Sequence, residues 1–199
     1  MPGSVVETRG SLASGTADQF SDIDLLWEVP DEAFQGAADG AGAILERAQE
    51  TASVRVDPTF RRSTKHRLVY ARFRDLPLFW RLDLEIFAQS AARNPDYDRA
   101  SPGAHDDTDW SPGESALMNA IATVRALRRG NDELAVELLG RGYERVGLPR
   151  ATEASDETVR TLADAIRKRD PSVAPLAEQV RELVDPHSTR QEALEPNRS

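Results

Sequence analysis

Hydrophobic positions in the first half of the chain fall in short runs: VV at 5, IDLLWEV at 23, SVRV at 53, RLVYARF at 67 and LFWRLDLEIF at 78. Runs of this length, bounded by polar or turn-forming residues, predict strands. Between the second and third lies EAFQGAADGAGAILERAQETA, whose Ala41, Ile44, Leu45 and Ala48 recur at helical spacing. The order strand, turn, strand, helix, then more strands predicts an α/β (α+β) fold built on a mixed sheet with flanking helices. RDLP, residues 74–77, separates two alternating runs and predicts a hairpin turn.

From residue 91 to 113 the pattern stops. AARNPDYDRASPGAHDDTDWSPG is dense in Pro, Gly, Asp and Asn, the composition of a linker or of a loop at the rim of a site. Helical spacing follows. Ser111 is placed to cap a helix with Pro112 in its first turn and Glu114 three residues on, ahead of Leu117, Ile121, Val124 and Leu127 on one face. NDELAVELLGRGYERVG predicts a second helix closed by Gly147 and Pro149; SDETVRTLADAIRKR and SVAPLAEQVRELV predict two more, stopped by Asp-Pro pairs at 170 and 185. The expected organisation is a sheet domain over 1–92, a linker or rim loop over 93–113, a C-terminal helical domain over 114–186 and a flexible tail over 187–199.

The second strand carries a conflict. Asp22 and Asp24 flank Ile23 inside an apolar run, although aspartate is a poor strand former and costly to bury. Side chains alternate along a strand, so the two carboxylates share one face while Ile23 and Leu25 turn to the core. Residues two apart stand roughly 6.5 to 7 Å from each other, close enough for carboxylates to converge on one or two divalent cations. The same alternation in LFWRLDLEIF puts Trp80, Leu82, Leu84 and Ile86 inward and Arg81, Asp83 and Glu85 on the opposite face. If this strand neighbours the first, Asp83 becomes a third carboxylate, with Glu85 in reserve. Oxygen ligands of this kind suit magnesium with substrate phosphates in its remaining positions. Gly10 and Ser11, at the end of the VVETR run, have the backbone freedom and hydroxyl to hold phosphate oxygens.

Composition narrows the partners. The 199 residues include 25 basic and 34 acidic ones, a net charge of -9, which argues against nucleic-acid binding through the overall field. The absence of cysteine excludes disulfides and thiolate chemistry. Without a signal-like segment or a membrane-length apolar stretch, a cytoplasmic location is the expectation.

Gly10-Ser11, ten residues, then Asp22-Ile23-Asp24-Leu25-Leu26, followed by the apolar-acid-apolar strand around Asp83, resembles the signature of the polymerase-beta-like nucleotidyltransferase superfamily. The resemblance covers roughly the sheet domain. It implies that Gly10 and Ser11 bind the nucleotide, that Asp22, Asp24 and Asp83 are the catalytic and metal-binding residues, and that the cofactors are Mg2+, in a two-metal site, and an NTP, ATP first. Such members usually have a helix before the first strand, whereas four residues precede VVETR here. The implied activity is transfer of a nucleoside monophosphate to a hydroxyl of a small-molecule acceptor, such as an aminoglycoside-like or lincosamide-like antibiotic. Two alternatives stand beside it: an antitoxin-type nucleotidyltransferase modifying a partner protein, and a catalytically idle nucleotide-binding protein.

Other residues read more plainly. Arg81 reads as an ion-pair partner of Asp83 or a phosphate contact. RRSTKHR at 61–67 reads as a solvated basic loop, with guidance of the triphosphate as the second reading. His66, His105 and His187 are too scattered for a metal site. Trp27 and Trp80 read as core, and Glu114 and the DDTD loop at 106–109 as the nearest candidates for a general base or an acceptor contact.

Overall fold

The computed structural model describes residues 1–92 and 110–185, in two compact units divided between Trp110 and Ser111. The first contains a five-stranded sheet. Its strands are β1 (Val5–Thr8), β2 (Ile23–Val29), β3 (Thr51–Val56), β4 (His66–Phe73) and β5 (Leu82–Ala88), in the spatial order β1-β2-β5-β4-β3. Every expected strand run forms one. Only the central β2–β5 pair is parallel; the others are antiparallel. A parallel neighbour requires a crossover, and here it consists of helix α2 (Phe34–Ala48) together with the β3–β4 hairpin.

Helix α2 covers one face of the sheet. Phe34, Ala37, Ala38 and Ala41 pack on Val29, Val69, Ala71, Leu82, Leu84, Ile86 and Ala88, with Ile23, Leu25 and Trp27 partly buried against the same cluster. The stripe runs through the alanines, which let the helix backbone sit close to the strands. Ile44, expected on this face, falls beside it and is 40% exposed, while Leu45 reaches the core. Burial along β5 alternates without exception, Leu82, Leu84, Ile86 and Ala88 inward and Asp83, Glu85 and Phe87 outward. Trp80 does not continue that alternation. It lies in the turn ahead of β5, where its N–H donates to the Pro77 carbonyl at 2.9 Å, and it is 45% exposed rather than core. The turn expected at 74–77 is correspondingly longer and runs to Arg81, with Asp75 in a left-handed conformation at φ 59°.

On the face away from α2, one side chain from each of four strands stands in register: Asp24 on β2, Asp83 on β5, Tyr70 on β4 and Arg55 on β3. The basic run 61–67 is not one solvated loop. His66 is buried between the rings of Phe60 and Phe87, each centroid 3.9 Å away, and Arg67 is buried on the α2 side of the sheet, where its guanidinium donates to the Arg61 carbonyl. Arg67 therefore faces away from the carboxylates.

Short helices α1 (Gly10–Ser14) and α3 (Gln89–Ala92) complete this unit. The second unit holds α4 (Pro112–Arg128), α5 (Asp132–Arg145), α6 (Asp156–Arg169) and α7 (Ala174–Leu183). Their N-termini follow the expected chemistry: Ser111 Oγ accepts from the Glu114 N–H at 3.0 Å, and Ser155 and Thr158 form a reciprocal capping box. Leu117, Ile121, Val124, Leu139, Leu162, Ile166 and Val180 form the interior of this unit. A Cβ on Gly142 would stand 3.0 Å from Leu162 and 3.3 Å from the Ala116 carbonyl, so α5 approaches α4 and α6 closely there. Among the described residues no helix is long and apolar enough to cross a membrane. Most of the expected linker, with His105 and the 106–109 acids, and the expected tail, with His187, lie outside the described residues.

Candidate metal centre

Two loops bring the carboxylates together. The chain between α1 and β2 is folded on Asp18: its carboxylate accepts from the Phe20 N–H at 2.9 Å and the Ser21 hydroxyl at 3.0 Å, while Ser21 Oγ accepts in turn from the Asp18 N–H at 3.0 Å. This closed Asx-type turn buries Ser21 and delivers Asp22 one residue before β2 starts, not within the strand as alternation had implied. The turn ahead of β5 meets it. The rings of Phe20 and Phe79 pack edge to face with centroids 5.3 Å apart, and the Ile23 N–H donates to the Arg81 carbonyl at 2.8 Å.

Asp22, Asp24 and Asp83 consequently each present an oxygen within 4.8 Å of the others, all three half-buried. Asp24 and Asp83 face each other across the parallel pair, one pleat into each strand. Glu85 stands two residues further along β5, opposite Leu26 and Leu68, outside the group of three. Like charges this close in a partly desolvated place repel, and the arrangement needs a countercharge.

Arg81 supplies part of it. Its guanidinium donates from Nε to Asp83 Oδ1 at 2.5 Å and from Nη2 to Asp83 Oδ2 at 2.6 Å, and Nη2 lies 3.6 Å from Asp22 Oδ2. The same guanidinium lies over the Tyr70 ring, 5.4 Å from its centroid, and Tyr70 is held by its hydroxyl, which donates to Asp57 at 3.0 Å. Burial pushes the Asp83 carboxyl above the ordinary aspartate range; Arg81 pulls it back and Asp22 and Asp24 push it further up. Burial works against the Arg81 charge too, but Asp83 and Asp22 outweigh it and hold the guanidinium protonated. Burial raises the Tyr70 hydroxyl as well, with the Asp57 charge adding to it.

Gly10 closes the other side. It opens α1 at φ 57°, a conformation that disfavours side chains, and a Cβ there would lie 2.2 Å from Asp24 Oδ2. No other residue type fits against that carboxylate without moving it. The Arg9 N–H donates to the Asp24 carbonyl at 2.8 Å, which ties this corner to β2, and Ser11 follows half-buried in the first turn of α1. The five residues expected to act together, Gly10, Ser11, Asp22, Asp24 and Asp83, are thus gathered at one end of the β2–β5 pair. Glu114 belongs to the second unit, at the first turn of α4.

Hard oxygen donors from three carboxylates, partly shielded and with one side cleared by glycine, fit a magnesium-type cation. Phe20, Phe79 and Asp18 carry no motif that marks them for this site, and Tyr70 was not among the residues expected here. Alternation in RLVYARF did carry a signal for Tyr70, because Val69 and Ala71 point inward and leave it on the carboxylate face. The chain matches no protein-family model and no curated protein.

Proposed function

We propose that the protein is a magnesium-dependent nucleotidyltransferase that moves a nucleoside monophosphate, AMP from ATP first, to a hydroxyl of a small-molecule acceptor of the aminoglycoside or lincosamide kind. The observation that carries this reading is the convergence of Asp22, Asp24 and Asp83 within 4.8 Å beside a glycine that has no room for a Cβ. Its motif order supports the same reading, with Gly-Ser ahead of the paired aspartates and the third acid on a later strand.

In this reading Asp22, Asp24 and Asp83 hold the cation, and Gly10 and Ser11 lie where the triphosphate tail is bound. Magnesium there supplies a Lewis acid that lowers the pKa of an acceptor hydroxyl and neutralises the charge of the departing pyrophosphate. The acceptor oxygen forms a bond to the α-phosphorus, the bond to the bridging oxygen breaks, and the acceptor proton passes to solvent. The half-buried setting of the carboxylates, between Arg81 and Gly10, fixes them before substrate arrives and strengthens their field.

The test incubates the full chain with α-labelled ATP or GTP, magnesium and separate panels of aminoglycosides, lincosamides, other polyols and cell extract. Label in one acceptor class, absent with Asp24→Asn, is the expected result. Label confined to a protein band of the extract supports the partner-modifying alternative. Nucleotide binding without transfer to any pool overturns the transferase reading.

A further inference from the structure

Arg81 occupies the coordinating side of the candidate centre. Both oxygens of Asp83 accept from its guanidinium, at 2.5 and 2.6 Å, and the same group reaches to 3.6 Å from Asp22, so two of the three carboxylates face one fixed cation. A carboxylate engaged through both oxygens in a bidentate fork keeps only its remaining lone pairs for another ligand. A divalent ion at Asp83 and a guanidinium at Asp83 would also repel each other over a few ångströms in a half-buried place. Arginine cannot resolve this by losing a proton, because its pKa is too high.

The surroundings supply an alternative position. Tyr70 lies next to Asp83 in register on β4, its hydroxyl is anchored to Asp57, and its ring already carries the guanidinium at 5.4 Å. A guanidinium that leaves the carboxylates by side-chain rotation has beside it a ring, anchored at its hydroxyl, on which to keep a cation–π contact.

We propose that Arg81 is a positioning residue that exchanges with the metal: its guanidinium keeps Asp83 and Asp22 assembled while no cation is bound, and a divalent ion loads the centre only by displacing it. This rests on the reading of the three aspartates as metal ligands. The exchange weakens binding of a bare cation, and favours one that arrives with phosphate oxygens to complete its shell.

Manganese titration of the full chain without nucleotide, read by calorimetry or by loss of the free-ion paramagnetic signal, tests it. Arg81→Met should bind Mn2+ about tenfold more tightly than wild type, the scale of one charge-assisted pair. Arg81→Lys, which keeps the charge and loses the fork, should fall between and decides the matter if the methionine variant does not fold. A second readout is the side-chain Nε–H resonance of Arg81, assigned by its absence in Arg81→Lys: addition of diamagnetic Mg2+ should move it away from its carboxylate-bonded position. Equal or weaker Mn2+ binding by both variants, with wild type binding, overturns the exchange and leaves the metal site standing. No binding by any of the three, while circular dichroism shows them folded, removes the metal site and the exchange together.

Discussion

Asp24 and Asp83 stand directly opposite each other across the parallel pair of β2 and β5. Nothing in strand pairing calls for two acids at one rung, since like charges opposed on a sheet face destabilise it. That cost is tolerated with Asp22 close by and the Arg81 guanidinium paired with this group. A site selected for stability alone would have replaced one of the three, so each is expected to trade fold stability for binding.

On the proposed function, asparagine at position 24 or 83 should abolish nucleotidyl transfer while the chain still folds. Asp24→Asn removes charge from the repelling group without touching the Arg81 fork, and its urea midpoint without divalent ions should equal or exceed wild type. Added Mg2+ should raise the midpoint of wild type only. A folded Asp24→Asn protein with wild-type turnover would falsify the metal assignment.

The glycine at position 10 offers a sharper contrast. Gly10→Ala meets both a left-handed backbone and an oxygen 2.2 Å from the new Cβ, whereas Gly15→Ala at φ 69° meets open space. Backbone strain alone costs about 1 kcal/mol, the expectation for Gly15→Ala, with Mn2+ binding unchanged. Gly10→Ala should lose roughly 2 to 4 kcal/mol and displace Asp24, with cation affinity falling at least tenfold. Chemical denaturation and Mn2+ titration of the two variants side by side measure the difference.

Acid dependence follows from Asp83, whose carboxyl burial holds above the ordinary aspartate range. Between the unfolded-state value and its own, the folded chain keeps a proton that the unfolded chain has released, so this residue's contribution to stability falls as pH rises through that interval and is constant above it. The stability of Asp83→Asn relative to wild type should accordingly grow as pH rises across the interval and then level off. Urea unfolding of both proteins at a series of pH values from mildly acid to neutral, in chelator, gives the curve; a difference flat throughout would contradict the assignment.

Phe79 tests the clasp between the two loops. It is buried and packs edge to face on Phe20, so Phe79→Ala should cost about 3 kcal/mol in stability. Phe79→Leu keeps most of the volume and loses the ring geometry. It should lower cation affinity more than it lowers stability, because the ring pair brings the Asp22 loop to the Arg81 loop.

Much of this arrangement was legible in the chain itself. Five strands, α2 and all four C-terminal helices follow from spacing and caps, and the positions of Asp24 and Asp83 follow from a period of two in IDLLWEV and LFWRLDLEIF. Extrapolation failed where a period was carried past its element. Trp80 continues the β5 alternation on paper, but the turn closed on Pro77 delays the strand to Leu82 and leaves the indole in solvent. Asp22 stops short of β2 because Asp18 organises the preceding turn through side-chain bonds that have no periodic signature. Ile44 was placed on the packing face by helical spacing, while the helix makes its contact through Phe34, Ala37, Ala38 and Ala41. The Phe20–Phe79 pair and the place of Tyr70 beside Arg81 are tertiary contacts between distant segments, and no local pattern announces them.

The strand order has a consequence for how the protein is made. β5 is the last strand of its sheet to leave the ribosome, yet it belongs in the interior beside β2, with β1 already pairing on the other side. Until that final strand inserts, Asp22 and Asp24 stand without Asp83 and the Arg81 fork, so the group of three acids is complete only once the sheet itself is complete.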